Sequence, residues 1–198
     1  MERWVLLRKG ADFEAIGKKY QISPRLACLI RNRDVIGEEA VDRYLNGTIS
    51  DLYDGMLMKD MDKAIDILKE KILEDKKIRV IGDYDIDGVN ATYILLEGLE
   101  RLGADVDSDI PDRISDGYGL NRHLVERAYE AGVDTLITCD NGIAAADEIA
   151  YGKEMGMTVI VTDHHEVPFD EQDGEKRYRI PPADAVMDPK QPDCLYPF

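Results

Sequence analysis

The stretch Ile78-Arg79-Val80-Ile81-Gly82-Asp83-Tyr84-Asp85-Ile86-Asp87-Gly88 decides the fold. A short β-prone run passes directly into an acidic turn. Gly88 permits entry into a helix, whose N-terminal amides can receive a phosphate oxygen. The same order recurs twice: Thr135–Ile137 leads into Thr138-Cys139-Asp140-Asn141-Gly142, and Thr158–Val161 leads into Thr162-Asp163-His164-His165. In a parallel α/β sheet the carboxyl ends of the strands share one edge, and ligands bind there. Carboxylates gathered so closely repel one another unless a cation stands among them. The pattern therefore points to a divalent-metal site, with two ions.

Around these runs, helical segments alternate with strands. Val89–Leu102 is helical up to Gly103, Asn121–Ala131 up to Gly132, and Ala144–Met155 up to Gly156. Asp105–Ile110 alternates weakly and Ala185–Met187 offers one further strand. Strand–helix alternation with short connections predicts a parallel, doubly wound sheet with flanking helices and right-handed crossovers. Upstream, Phe13–Tyr20, Ser23–Asn32 and Glu38–Leu45 read as short helices, with Ser23-Pro24 as N-cap and first helical residue. Lys59–Glu74 is a stronger helix, with Met61, Ala64, Ile65, Leu68 and Ile72 forming an amphipathic stripe. The expectation is a small helical lead-in over residues 1–77 followed by an α/β domain over 78–198.

No apolar run in the 198 residues reaches the ~20 needed to span a membrane. The start, Met1-Glu2-Arg3-Trp4, lacks a signal-peptide layout, and three cysteines without framework spacing suit reduced thiols. A cytoplasmic location is expected. Residues 1–77 carry 15 basic and 15 acidic side chains, so the remaining 10 of 25 and 26 of 41 give residues 78–198 the entire net charge of −16. Bound divalent ions would offset part of that charge. The lack of a basic track counts against tight, autonomous binding of a polyanion.

Asp83, Asp85 and Asp87 alternate, so an extended backbone would set all three on one face. Asp-x-Asp-x-Asp-Gly also opens a calcium-binding EF-hand loop, but that loop needs Glu at its twelfth position, where Ile94 stands. Asp140 ends an apolar strand and is placed to bridge two cations, or else to cap the helix near Ala144. Of the adjacent histidines, one can bind metal while the other meets substrate, and Asp163 is the acceptor against which a ligating imidazole leans. Cys139 reads as a small buried residue, and His123 as ordinary surface. Arg113 suits a charge-assisted phosphate contact and equally a surface ion pair with Asp112 or Asp116. Tyr118, between two glycines, suits stacking on a nucleotide or ordinary packing.

The set Gly82-Asp83-Tyr84-Asp85-Ile86-Asp87-Gly88, Cys139-Asp140-Asn141-Gly142 and Thr162-Asp163-His164-His165 resembles the DHH phosphoesterase superfamily. Ile110-Pro111-Asp112-Arg113, Asp116-Gly117-Tyr118-Gly119-Leu120 and Asp188-Pro189-Lys190-Gln191 are similar to its branch of exonucleases that degrade single-stranded DNA from the 5′ end. That resemblance implies a two-metal phosphodiester hydrolysis in DNA repair and recombination, with Mn2+ the usual ion and Mg2+ an alternative. It makes Asp83, Asp85, Asp87, Asp140 and His164 metal ligands and Asp140, His164 and His165 the catalytic set. His165, Arg113 and Tyr118 then face the DNA, with Asp163 behind the imidazoles. Ile81 stands where many superfamily members place a histidine. The branch also carries a further metal-binding Asp, a DHH-associated domain and an oligonucleotide-binding domain downstream. The chain is accordingly expected to be a truncated catalytic domain, weakly active or inactive alone. Two alternatives are a phosphodiesterase for short oligonucleotides or cyclic dinucleotides, and a non-catalytic metal-binding regulatory module.

Overall fold

A computed structural model describes Val5 and residues 9–114, 116–172 and 174–197. The reading made at Met1–Trp4 lies outside the described residues. The chain forms two compact units, residues 1–53 and 54–198.

In the first unit, three short helices are started by local capping. Asp12 accepts the Ala15 N–H ahead of α1 (Phe13–Tyr20), and Ser23 accepts the Leu26 N–H ahead of α2 (Pro24–Asn32), where Pro24 opens the helix. With α3 (Glu38–Asn46), these helices bury Ala27, Ile30 and Val41.

The second unit is the expected parallel sheet. Its strands are β1 (Ile78–Ile81), β2 (Val106–Asp109), β3 (Thr135–Cys139), β4 (Thr158–Thr162) and, after a hairpin, β7 (Ala185–Met187). The order is β2-β1-β3-β4-β7, every pair parallel. Helices α4 (Met61–Leu73) and α5 (Ile86–Arg101) cover one face, with Ala64 and Leu99 packed among Ile78, Val80, Ile137, Cys139 and Ile160. Helices α6 (Arg122–Glu130) and α7 (Ala146–Glu154) cover the other, with Leu124, Val125, Ala128 and Ile149 against Ile81, Leu136, Val159 and Val161. Two-sided cover explains why these strands read as apolar runs.

Three points refine these expectations. The compact units part after Tyr53, and α4, read with the helical lead-in, packs its stripe on the sheet. Helix α5 begins at Ile86, not Val89, because the Asp85 carboxylate caps it by accepting the N–H groups of Asp87 and Gly88 at 2.9 and 3.0 Å. Asp87 is thereby drawn into the first helical turn, so the three aspartates do not share an extended face. Finally, the polar stretch between β4 and β7, where no strand is expected, forms an antiparallel hairpin, β5 (Phe169–Gln172) with β6 (Glu175–Tyr178).

Candidate metal centre

Strand order reverses at β1: the chain moves to β2 on one side and then to β3 on the other. The crevice outside the β1 and β3 carboxyl ends is therefore a topological switch point. Register then aligns the motifs. Ile81 pairs with Thr138, Thr138 with Val161, and Val161 with Val186. Two residues beyond each member of that row stand Asp83, Asp140, Asp163 and Asp188.

Local bonding holds the row in place. Asn141 donates through Nδ2 to the carbonyls of Ile81 at 3.1 Å and Cys139 at 3.0 Å, tying the first motif to the second. Thr138 Oγ1 donates to the Asn141 carbonyl at 2.8 Å. Asp140 adopts a positive φ of 60°, a conformation aspartate tolerates better than most residues. Gly88 is required by the close return of α5: a Cβ there would lie 2.5 Å from the Asp83 carbonyl oxygen.

Two groups of potential ligands share Asp140. One is Asp83, Asp85 and Asp140; the other is Asp140, His164 and His165. Asp83 is fully buried and neither of its carboxylate oxygens has a hydrogen-bond partner; Asp140 Oδ2 is likewise buried and unpartnered. Burial pushes the Asp140 carboxyl above its usual range, with the Asp85 charge adding to the rise and the His164 contact opposing it. Asp85 moves the other way, lowered chiefly by the N–H of Gly88 that it accepts. Buried carboxylate oxygens left without donors are costly, and a hard divalent cation satisfies several at once. Oxygen donors joined by imidazole, without a thiolate, are chemistry suited to manganese or magnesium. The residues present fit such ions. Asp87 is exposed and belongs to neither group.

The two histidines are held differently. His164 Nε2 lies 2.8 Å from Asp140 Oδ1. His165 Nδ1 lies 2.7 Å from Asp163 Oδ1, and that contact raises the His165 pKa. Asp163 also receives the N–H groups of Ile143, His164 and His165, so one buried carboxylate fixes both the imidazole and its loop. The Tyr118 hydroxyl is 3.4 Å from His165 Nε2. Burial and the charges of Asp83, Asp140 and Asp85 push its phenol up to about 12, so it stays protonated. Arg113 lies over the Tyr84 ring, its Cζ 5.4 Å from the centroid. Cys139 is buried beside Thr92 and His123 is exposed.

Sequence reasoning missed two members of this edge. Tyr84 stands edge-on to Tyr118, centroids 5.8 Å apart, and so links the first motif to the Arg113 loop. Asp188 is fully buried, accepts the Lys190 N–H at 2.7 Å through Oδ1, and leaves Oδ2 unpartnered. An aspartate following a short apolar strand, the signal that exposed the other three motifs, was present at Asp188 too.

Fold and site thus define a doubly wound α/β domain with a carboxylate–imidazole cluster able to hold cations at its switch point. The family described as "DHH family, N-terminal domain" matches residues 77–195, and the chain belongs to it. Among curated relatives, it is 39% identical over 197 residues to the single-stranded-DNA-specific exonuclease RecJ of Bacillus subtilis, covering 99% of this chain and 24% of that protein. It is 30% identical to the Escherichia coli protein of the same name, covering 100% of this chain and 32% of that one. The chain therefore spans about a quarter to a third of the relatives it matches. A crystal structure of exonuclease RecJ bound to manganese is 37% identical with a TM-score of 0.61, over 72% of this chain and 34% of that one. RecJ of Thermus thermophilus in complex with Mn2+ is 29% identical with a TM-score of 0.61, over 98% of this chain and 26% of that one. Among the described residues, no helix is long and apolar enough to cross a membrane.

Proposed function

We propose that this chain is the catalytic domain of an exonuclease that hydrolyses single-stranded DNA from the 5′ end. The observation that carries the reading is the pair of ligand groups sharing Asp140 at the switch point, in a chain similar to RecJ exonucleases. Asp83, Asp85, Asp140 and His164 would hold two divalent ions, manganese in the first instance. When bound, such ions stabilise the charge that develops on a phosphodiester and make water a better nucleophile. Asp87, an exposed carboxylate in the first turn of α5, acts from outside these groups.

The side chains divide the remaining work. Asp163 occupies Nδ1 of His165, which leaves Nε2 to face the phosphate beside the Tyr118 hydroxyl. Tyr118, held protonated, donates a hydrogen bond and offers a ring to the adjoining nucleotide. Arg113 brings a fixed positive charge to the phosphate. With so acidic a surface, tight binding of a long strand falls to downstream domains, as the greater length of the relatives suggests. A role in DNA repair and recombination, in the cytoplasm, is part of the same reading.

A nuclease assay tests it, using 5′- and 3′-labelled single strands and duplexes on residues 1–198 and on a longer protein containing the downstream regions. Manganese-dependent release from the 5′ end of single strands by the longer protein is expected, lost in Asp140→Asn and weak or absent in the shorter chain. Undiminished hydrolysis by Asp140→Asn, or equal action on duplex, would sink the proposal.

A further inference from the structure

We infer that Tyr84 is a positioning residue, its ring holding Arg113 where the guanidinium meets a phosphate of the bound strand. The inference rests on the single-strand reading above and adds a component to it. Tyr84 rises from the most constrained turn of the site. On one side Asp83 is fully buried, with Gly88 packed against its backbone; on the other Asp85 caps α5. A ring carried on such a turn has little freedom, which makes it a platform.

Arg113, by contrast, sits on the loop between β2 and α6. Two neighbouring acidic side chains bond within the loop: Asp112 Oδ1 accepts the Ile114 N–H and Asp116 Oδ2 accepts the Asp112 N–H, each at 2.9 Å. The Arg113 guanidinium lies over the Tyr84 ring, within the range of a cation–π contact. The other side of that loop meets the same ring, with Tyr118 edge-on at 88°. Tyr118 in turn stands edge-on to His165, centroids 6.4 Å apart. Tyr84 thus joins the loop to the imidazole that faces substrate. A guanidinium held over a ring spends no N–H group on that contact, so its N–H groups can grip a phosphate in bidentate fashion.

Three variants of the 198-residue chain, Tyr84→Phe, Tyr84→Leu and Arg113→Ala, together with the Leu/Ala double, test this. The first readout is the Arg113 Nε–Hε resonance in metal-free protein, which a stacked ring shifts upfield. The second, read in a longer protein that carries the downstream regions and the same substitutions, is the dissociation constant of a 5′-phosphorylated single-stranded oligonucleotide, with manganese affinity measured beside it. Tyr84→Phe should keep both the shifted resonance and the affinity. Tyr84→Leu should lose the shift and weaken oligonucleotide binding about threefold to tenfold. Arg113→Ala should do the same to binding, the double should be no weaker than either single, and manganese affinity should hold throughout. Multiplying losses in the double, an unshifted resonance in the unaltered chain, or manganese affinity falling with Tyr84→Leu would each overturn the inference. Failure of the unaltered longer protein, downstream regions included, to bind the oligonucleotide would overturn the single-strand reading instead, and the resonance would still decide whether Tyr84 holds Arg113.

Discussion

Replacing Asp188 by Asn should stabilise the metal-free protein, and by more at alkaline pH than at acid pH. Asp188 is fully buried, and Oδ2 has no partner. Burial lifts its pKa from 3.8 to about 6, the nearby Asp163 charge adding to the rise while the N–H and charge of Lys190 and the imidazole of His164 oppose it. A carboxyl whose folded pKa is raised favours folding in its protonated form. Its contribution is fully present below pH 3.8 and is lost as pH rises through about 6. Above that value the ionised group costs ~3 kcal/mol, at 1.36 kcal/mol per pH unit; at pH 5 roughly half of this applies. Asparagine keeps the oxygen that accepts the Lys190 N–H and cannot ionise. Urea unfolding followed by circular dichroism in EDTA should therefore show Asp188→Asn more stable by ~3 kcal/mol at pH 8 and by ~1.5 kcal/mol at pH 5. An equal gain at both pH values would mean that packing, not ionisation, is responsible. A loss at pH 8 would refute the reasoning outright.

Asp140→Asn should abolish saturable manganese binding in calorimetry without lowering the melting temperature in EDTA. The unaltered chain should gain ~2.7 kcal/mol at a manganese concentration 100 times its dissociation constant, a gain the variant lacks. His165 should titrate by NMR above 6.5 in metal-free protein, and Asp163→Asn should bring its midpoint down. The stability that this pair supplies is complete below pH 6.5 and fades as pH passes the folded midpoint. Gly142→Ala should cost about 2–5 kcal/mol, because a Cβ at φ 109° would collide with Thr138 Oγ1. Gly103→Ala, at φ 84° with open space around it, should cost only about 1 kcal/mol in the same denaturation assay.

The parallel sheet was readable because strands covered on both faces form apolar runs, and each run here ends abruptly in an aspartate. What escaped did so for identifiable reasons. Ile86-Asp87-Gly88 looks like loop, since glycine disfavours helix interiors; the N-cap bonds from Asp85 outweigh that preference. Sequence order groups helix α4 with the lead-in, because periodicity reports an apolar stripe but not which surface receives it. The hairpin was hidden because its strands are exposed on both faces and carry charges where alternating apolar residues would betray a strand. Spacing alone leaves Arg113 between a phosphate and a neighbouring carboxylate, because its contact with Tyr84 depends on a loop path that spacing does not encode.

The −16 charge of the acidic half gains its meaning from how its members are partnered. Outside the register row of Asp83, Asp140, Asp163 and Asp188, partly buried carboxylates have cations at hand: Asp107 with Arg79 at 2.6 Å, Asp109 with Arg127 at 2.7 Å, Asp134 with Lys71 at 2.7 Å and Asp184 with Lys153 at 2.6 Å. Within the register row the more deeply buried Asp83, Asp140 and Asp188 each keep at least one oxygen without a donor, and Asp163 alone is filled, by backbone N–H groups and His165. A general acidic surface would distribute its unpaired carboxylates outward, where water screens them. This sheet does the opposite, placing its unpaired acids inside and in line, which strain alone would select against. Asp83 and Asp140 fall within the groups able to share a cation and Asp188 does not. Metal should therefore relieve the first two and leave the penalty at Asp188 in place, so the pH-dependent gain of Asp188→Asn should persist in saturating manganese.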